Sequence, residues 1–303
     1  QSCELIYRLS KEGIQNHIVD ELCNKIEYVC EQISEMKSDK MIIFFLPYKI
    51  SMWDSLESIY YAASDDVSCE VFVMPIPYYD KQGNQRNYRY EGDQFKKKFE
   101  IVDYREINLE QVHPDVIYIH NPYDNANFVT SIDEKFFSTK LKNCTDMLVY
   151  VPYCISGMYK KEKTMLERIF LPGVKNADLV ICQSQVQKDV YKKYKIDSDK
   201  YVVAGNPKFD ILIEYEKKHT LDELKRQMQL DDTKKVILIN TSIGYFLKKD
   251  GWFDLYRELF DNCQNKNVTL LWRPHPLLET TIKSVRPELY AEYCKFVNMV
   301  SSM

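Results

Sequence analysis

Arg273-Pro274-His275-Pro276 sets a guanidinium two residues from an imidazole, with prolines stiffening the backbone around them. A fork of guanidinium donors beside an imidazole suits a phosphate or pyrophosphate. The alternative is a surface arginine and a capped histidine in a proline-rich turn, and for the four residues alone that reading leads. The flanks shift the balance. Val268-Thr269-Leu270-Leu271-Trp272 reads as a buried strand, and Leu277 to Val285 as a helix whose first turn Pro276 would open. The pair would then lie where a strand ends and a helix begins. Open α/β sheets bind ligands at that edge, and helix N-termini favour anions there.

Other polar groups fall at similar places. Tyr48 and Lys49, Tyr78 to Asp80, His120, Asn121 and Asp124, Tyr153, Ser156 and Gly157, and Gln183 and Ser184 each follow an apolar run; so do Thr241, Ser242 and Gly244. Loops need turn formers, but they do not need His, Lys and Asp. Of the histidines, His120 ends an apolar run and is a candidate general base, against the reading of a satisfied turn histidine in HNPYD. His113 precedes the same run and belongs to the opposite edge, while His17 and His219 sit in charged helical segments. Cys154 lies in one of the loops without an obvious base beside it, so packing is favoured there.

The elements that would position these groups are legible as periodicity. Residues 10–37 carry apolar side chains at three- and four-residue steps, as a helix does. Then come short runs, Met41 to Leu46, Glu70 to Met74, Asp115 to Ile119, Met147 to Val151 and Leu179 to Cys182, separated by longer segments. That alternation predicts βαβ units on a parallel sheet. Ser51 to Ala63 reads as one of the helices, with Ser51 as its cap and Asp54 completing a capping box. Gly205-Asn206-Pro207 is a strong breaker. Beyond it, Ile211 to Leu230 reads as helical and Val236 to Asn240 as a strand; Gly251 to Cys263 reads as a helix and Val268 to Trp272 as a strand. The expectation is an N-terminal helical segment over 1–38, an α/β domain over 39–204 and a second over 205–303.

At 303 residues, 45% hydrophobic and 28% charged, the chain is ordinary for a globular protein of two domains. A net charge of −4 without a long basic block argues against a nucleic-acid partner. Nine cysteines without a C-x-x-C pair fit reduced, packed thiols. Neither a G-x-G-x-x-G nor a P-loop is present, and no Cys/His cluster suggests a metal. We expect no cofactor and no protein-held metal.

In order along the chain stand Asp178-Leu-Val-Ile-Cys-Gln-Ser184, Ala204-Gly-Asn-Pro-Lys-Phe-Asp210, Lys235-Val-Ile-Leu-Ile-Asn-Thr-Ser242 and Leu271-Trp-Arg-Pro-His-Pro276. That order resembles the CDP-glycerol glycerophosphotransferase family of teichoic acid polymerases and primases, over about residues 40–300. The resemblance implies a GT-B fold, two Rossmann-like α/β domains facing a cleft, in a cytoplasmic or peripherally membrane-bound enzyme. A CDP-linked donor would lie on the C-terminal domain and a lipid- or polymer-linked acceptor on the N-terminal one. On the donor side it implies His275 at the pyrophosphate with Arg273 beside it, the Thr241-Ser242 turn near the phosphates, and Gly205 and Asn206 at the junction. Tyr48, Lys49, Asp80, Tyr153, Ser156 and Ser184 fall to the acceptor side.

Two departures stand out. The family's His-Gly pair after the strand at 147–151 is missing from Val151-Pro-Tyr-Cys-Ile-Ser-Gly157, so His120, or else Asp124, would serve as base, or the chain has lost transfer activity. The family's Asp-x-Ser-Ser-like turn does not follow before Met303, so the C-terminal domain is expected to be partial. The rival readings are a GT-B glycosyltransferase using a nucleotide sugar and a non-catalytic binding protein of the same pathway.

Overall fold

A strand whose residues are all apolar has no solvent side, so it belongs between two packed layers. In the computed structural model, Met41–Leu46 (β1) is such a strand: Phe44 and Leu46 enter one core cluster and Ile43 and Phe45 the other. The structure describes residues 7, 11, 16–36, 40–82, 85–155, 169–194, 199–231, 233–248, 251–264 and 266–301. Around β1 the strands Cys69–Val73 (β2), Val116–Ile119 (β5), Met147–Tyr150 (β7), Leu179–Cys182 (β8) and Tyr201–Val203 (β9) form one parallel sheet, in the order β2-β1-β5-β7-β8-β9. The C-terminal ends of these six strands therefore open on the same edge.

A smaller antiparallel sheet stands at that edge. Tyr78–Gln82 (β3) lies between Gln85–Arg89 (β4) and Thr130–Ile132 (β6). Its sequence is polar and tyrosine-rich, so it reads as loop. Cross-strand pairing of Tyr78 with Arg89 and of Asp80 with Asn87 makes it a hairpin.

After β9 the chain passes through Gly205 (φ +87°) into the helix Lys208–Lys218 and builds a separate parallel pair, Lys235–Thr241 (β10) and Val268–Pro274 (β11). One face of this pair packs on an aromatic-rich core that includes Phe246, Trp252, Phe260 and Phe296. Three local expectations change. The stretch expected as helical over Ile211 to Leu230 is two helices, Lys208–Lys218 and Leu221–Gln227, divided by extended His219 and capped anew by Thr220. The segment after Lys49 forms a 3₁₀ turn, Ile50–Ser55, and then the helix Glu57–Ser64, whose N-cap is Leu56 without a side-chain bond. Ser51 caps nothing, and Asp54 instead binds Lys208. The helix after the Arg-Pro-His-Pro segment begins at Leu278, placing Pro276 before its N-cap.

Candidate functional site

β10 and β11 run in parallel and in register, so Asn240 stands beside Arg273 and Thr241 beside Pro274. The pairing brings two sequence-distant turns together. Asn240, Thr241, Ser242, Arg273 and His275 line a cavity of about 360 Å³. Thr241 is buried and is held from both directions: its hydroxyl accepts from the Trp272 indole N–H at 3.2 Å, and its carbonyl accepts from the His275 N–H at 3.0 Å. Ser242 and Arg273 are exposed, and Arg273 makes no ion pair among the described residues. The Nδ1 of His275 accepts from the Leu277 N–H at 3.1 Å, so a neutral ring carries its proton on Nε2 as a donor. His275 is exposed as a residue, yet partial burial of its ring disfavours charge and lowers its pKa.

His275 also borders a second cavity of about 560 Å³ between the two halves of the molecule. Lys49, Asp80, Glu91 and Tyr153 line it from the first half, Lys208 and Thr280 from the second. The ammonium of Lys49 lies 4.6 Å from the centre of the Tyr78 ring. Burial lowers its pKa, while the nearby charges of Asp80 and Glu91 act in the opposite sense. Glu91 is pinned, accepting from the Tyr78 hydroxyl at 2.7 Å and the Ile50 N–H at 2.8 Å. Asp80 accepts from Arg89 Nε at 3.0 Å.

Neither expected base reaches this space. His120 is 0% exposed. Its Nε2 accepts from the Tyr48 N–H at 3.3 Å, so its proton sits on Nδ1, directed at the Ser55 hydroxyl (3.0 Å) and the Met52 carbonyl (3.2 Å). Burial pushes its pKa down to about 3, against the opposing bond to Met52. Asp124 is buried with φ +50°, and its carboxylate accepts from the backbone N–H and hydroxyl of Ser138. Burial raises its pKa, and those bonds oppose the rise. Both residues hold loops in shape beneath the cleft.

The remaining expected residues divide. Lys49, Asp80 and Tyr153 meet at the cleft, while Tyr48 is buried below it, edge-on to the His120 ring. Ser184 lies at the N-cap of the helix Gln185–Lys193, away from both cavities, and Ser156 lies outside the described residues. Gly205 and Asn206 do not line the smaller cavity. Asn206 is buried, accepts from the Lys208 N–H and donates to the Cys154 carbonyl, so it ties the junction instead. Glu91 and Lys208 were missed as site residues. Lys208 belongs to the Gly205 to Asp210 segment, but nothing nearby in sequence marks its partner: its Nζ is 2.6 Å from Asp54 Oδ2 across the junction.

The model of the CDP-glycerol:poly(glycerophosphate) glycerophosphotransferase family matches residues 151–302, half of the chain, including both turns of the smaller cavity. The chain belongs to that family. No curated protein sequence matches it. Among solved structures, a UDP-bound MnaA from S. aureus is 16% identical, covers 81% of this chain and 66% of its own, and superposes with a TM-score of 0.50. A UDP-GlcNAc 2-epimerase from Neisseria meningitidis bound to UDP-GlcNAc is 15% identical, with 82% and 69% covered and a TM-score of 0.49. The wall teichoic acid polymerase TagF is 13% identical, with 86% and 66% covered and a TM-score of 0.41. The chain thus spans about two thirds of the length of these structures. Membership is in a transferase family, and the fold is GT-B-like: α/β, with a parallel sheet on each side of a cleft. Among the described residues, no helix is long and apolar enough to cross a membrane.

Proposed function

We propose that this protein transfers glycerol phosphate, or a related polyol phosphate, from a CDP-linked donor to an acceptor hydroxyl in the synthesis of a teichoic-acid-like or surface polymer. The observation that carries the reading is the place of His275. It borders both the cavity at the ends of β10 and β11 and the larger cavity between the halves. A pyrophosphate held by Arg273, His275 and the Thr241-Ser242 turn would expose its polyol-bearing phosphorus to the shared space, where an acceptor hydroxyl can enter from the first half. Attack on that phosphorus forms the new O–P bond and breaks the P–O bond to the departing CMP. Arg273 and the Nε2–H of His275 would offset the charge that gathers on CMP. Enclosure of both partners between two walls supplies orientation, which is worth several kcal/mol of a barrier.

The acceptor in this reading is a lipid- or polymer-linked alcohol, and contact with a membrane would be peripheral. Titration calorimetry tests the donor. CDP should bind, and Arg273→Ala and His275→Ala should each weaken it about tenfold or more, as loss of a charge-assisted hydrogen bond does. Tight UDP binding without CDP binding would transfer the argument to a nucleotide-sugar glycosyltransferase. CDP binding without CMP release, with acceptor present, would leave a binding protein.

A further inference from the structure

The transfer proposed above needs a group that takes the acceptor proton, and the two groups expected to do so are enclosed beneath the cleft. We propose that Asp80 is that base, with Lys49 and Glu91 as its positioning residues. The assignment rests on the transfer reading. Two carboxylates line the cavity between the halves, Asp80 and Glu91. Glu91 has both oxygens engaged, Oε1 by the Tyr78 hydroxyl and Oε2 by the Ile50 N–H. Asp80 has Oδ2 engaged by Arg89 Nε, while Oδ1 makes no hydrogen bond among the described residues. An oxygen without a partner, on a residue that lines the cavity, is what a hydroxyl proton requires.

The backbone beneath Asp80 is firm. β3 is the central strand of its sheet, with Asp80 paired to Asn87 on one side and Thr130 on the other. Lys49 adds the second half of the arrangement. Its ammonium rests on the Tyr78 ring, and no carboxylate stands within ion-pair distance of it among the described residues. It therefore keeps donors for a phosphoryl oxygen of the donor or the oxygen of the incoming alcohol. His275 borders the same cavity from the opposite half.

In the step itself the acceptor O–H bond breaks and its proton passes to Asp80 Oδ1. The oxygen lone pair forms the bond to phosphorus, the P–O bond to CMP breaks, and its electron pair leaves on CMP. Asp80 then releases the proton to solvent. The charged and titratable groups around Asp80 are Arg89 on β4, Tyr48 and Lys49 after β1, Tyr78 on its own strand, Glu91 and Tyr153, with Lys208 and His275 from the second half.

The test is a comparison of Asp80→Asn and Asp80→Glu with the full unmodified chain. CDP affinity by calorimetry should stay within about twofold in Asp80→Asn, and its thermal unfolding should remain cooperative. Its kcat should fall by roughly 10²–10⁴, the range for a lost general base, and the acidic limb of the pH–rate profile should vanish. Asp80→Glu should regain part of the rate together with the limb. A fluorinated, more acidic alcohol as acceptor should shrink the deficit of Asp80→Asn. If Asp80→Asn keeps its rate and its acidic limb while Glu91→Gln or Lys49→Met loses that limb, the assignment falls and the transfer reading stands. If the unmodified chain neither binds CDP nor releases CMP, both fall together.

Discussion

His120 shows how far a side chain's role is set by what folds over it. Its position at the end of an apolar run is plain in the sequence. Its enclosure is not, because the lid is the 3₁₀ turn Ile50–Ser55 and the Tyr48 amide, about seventy residues earlier. A chain unfolded in water takes up the imidazole proton near pH 6.5, whereas the folded protein resists it until about 3. The neutral form is therefore part of the native state. Its stabilisation is complete above pH 6.5 and is lost as the pH falls from there toward 3. Urea unfolding should show about 2 kcal/mol of stability lost to this group between pH 7 and pH 5, and His120→Ala should abolish that dependence. The same substitution at neutral pH should cost about 2–4 kcal/mol by opening a cavity and orphaning the Tyr48 amide. Asp80 is legible in the sequence by its position after the apolar run that ends at Met74. Its free oxygen is not legible there, because the Arg89 that engages the other one reaches it only through the pairing of β3 with β4.

At the level of elements, the parallel strands were the most readable part, since residues packed on both faces leave continuous apolar runs. Met41–Leu46 and Leu179–Cys182 stand where the sequence puts them, the other five expected strands differ by one or two residues at their ends, and Tyr201–Val203 is a strand the sequence reading does not contain. The β3–β4 hairpin escaped notice because its residues are mostly polar, with β4 exposed throughout, and alternation of burial is the signal a strand normally gives. Two glycines make opposite predictions testable by urea midpoint. At Gly173 a Cβ would meet the Asn121 carbonyl oxygen and Pro122 Cα, both at 2.8 Å, and backbone cannot step aside. Gly173→Ala should cost about 1–3 kcal/mol through overpacking and should displace the loop after β5. At Gly205 a Cβ would meet nothing within 4 Å, but the backbone sits at φ +87°. Gly205→Ala should cost roughly 1–2 kcal/mol through strain alone and leave the core undisturbed.

For the molecule as a whole, the two core clusters of the first half and the one of the second are joined across polar contacts. Lys208 binds Asp54, the Ser58 hydroxyl donates to Asp210, and the Ser284 hydroxyl donates to the Lys81 carbonyl. The Lys208 and Asp54 side chains are 19% and 39% exposed, so their pair should contribute at most about 1 kcal/mol to stability. Its effect on geometry should be larger. Lys208→Met should leave the unfolding midpoint nearly unchanged, raise the radius of gyration in small-angle scattering, and lower kcat about tenfold. An unchanged radius would mean that the other contacts hold the halves without it. These partners lie as much as 203 residues apart in sequence, which is why only part of the cleft's lining could be read from the sequence and its closure could not.

The strand β9 ends at Val203, and each strand of the first parallel sheet lies upstream of that point. During synthesis, that sheet can therefore close while the following segment is still inside the ribosome. The wall bearing Lys49, Asp80 and Glu91 is thus complete in water before its opposite wall exists. A greasy surface there would invite aggregation during the wait. Charged groups and hydroxyls interrupt the apolar Met52, Cys154 and Ile155 on that wall and so limit the hazard of the delay, and the chemistry proposed for the cleft and the order of its manufacture call for the same residues.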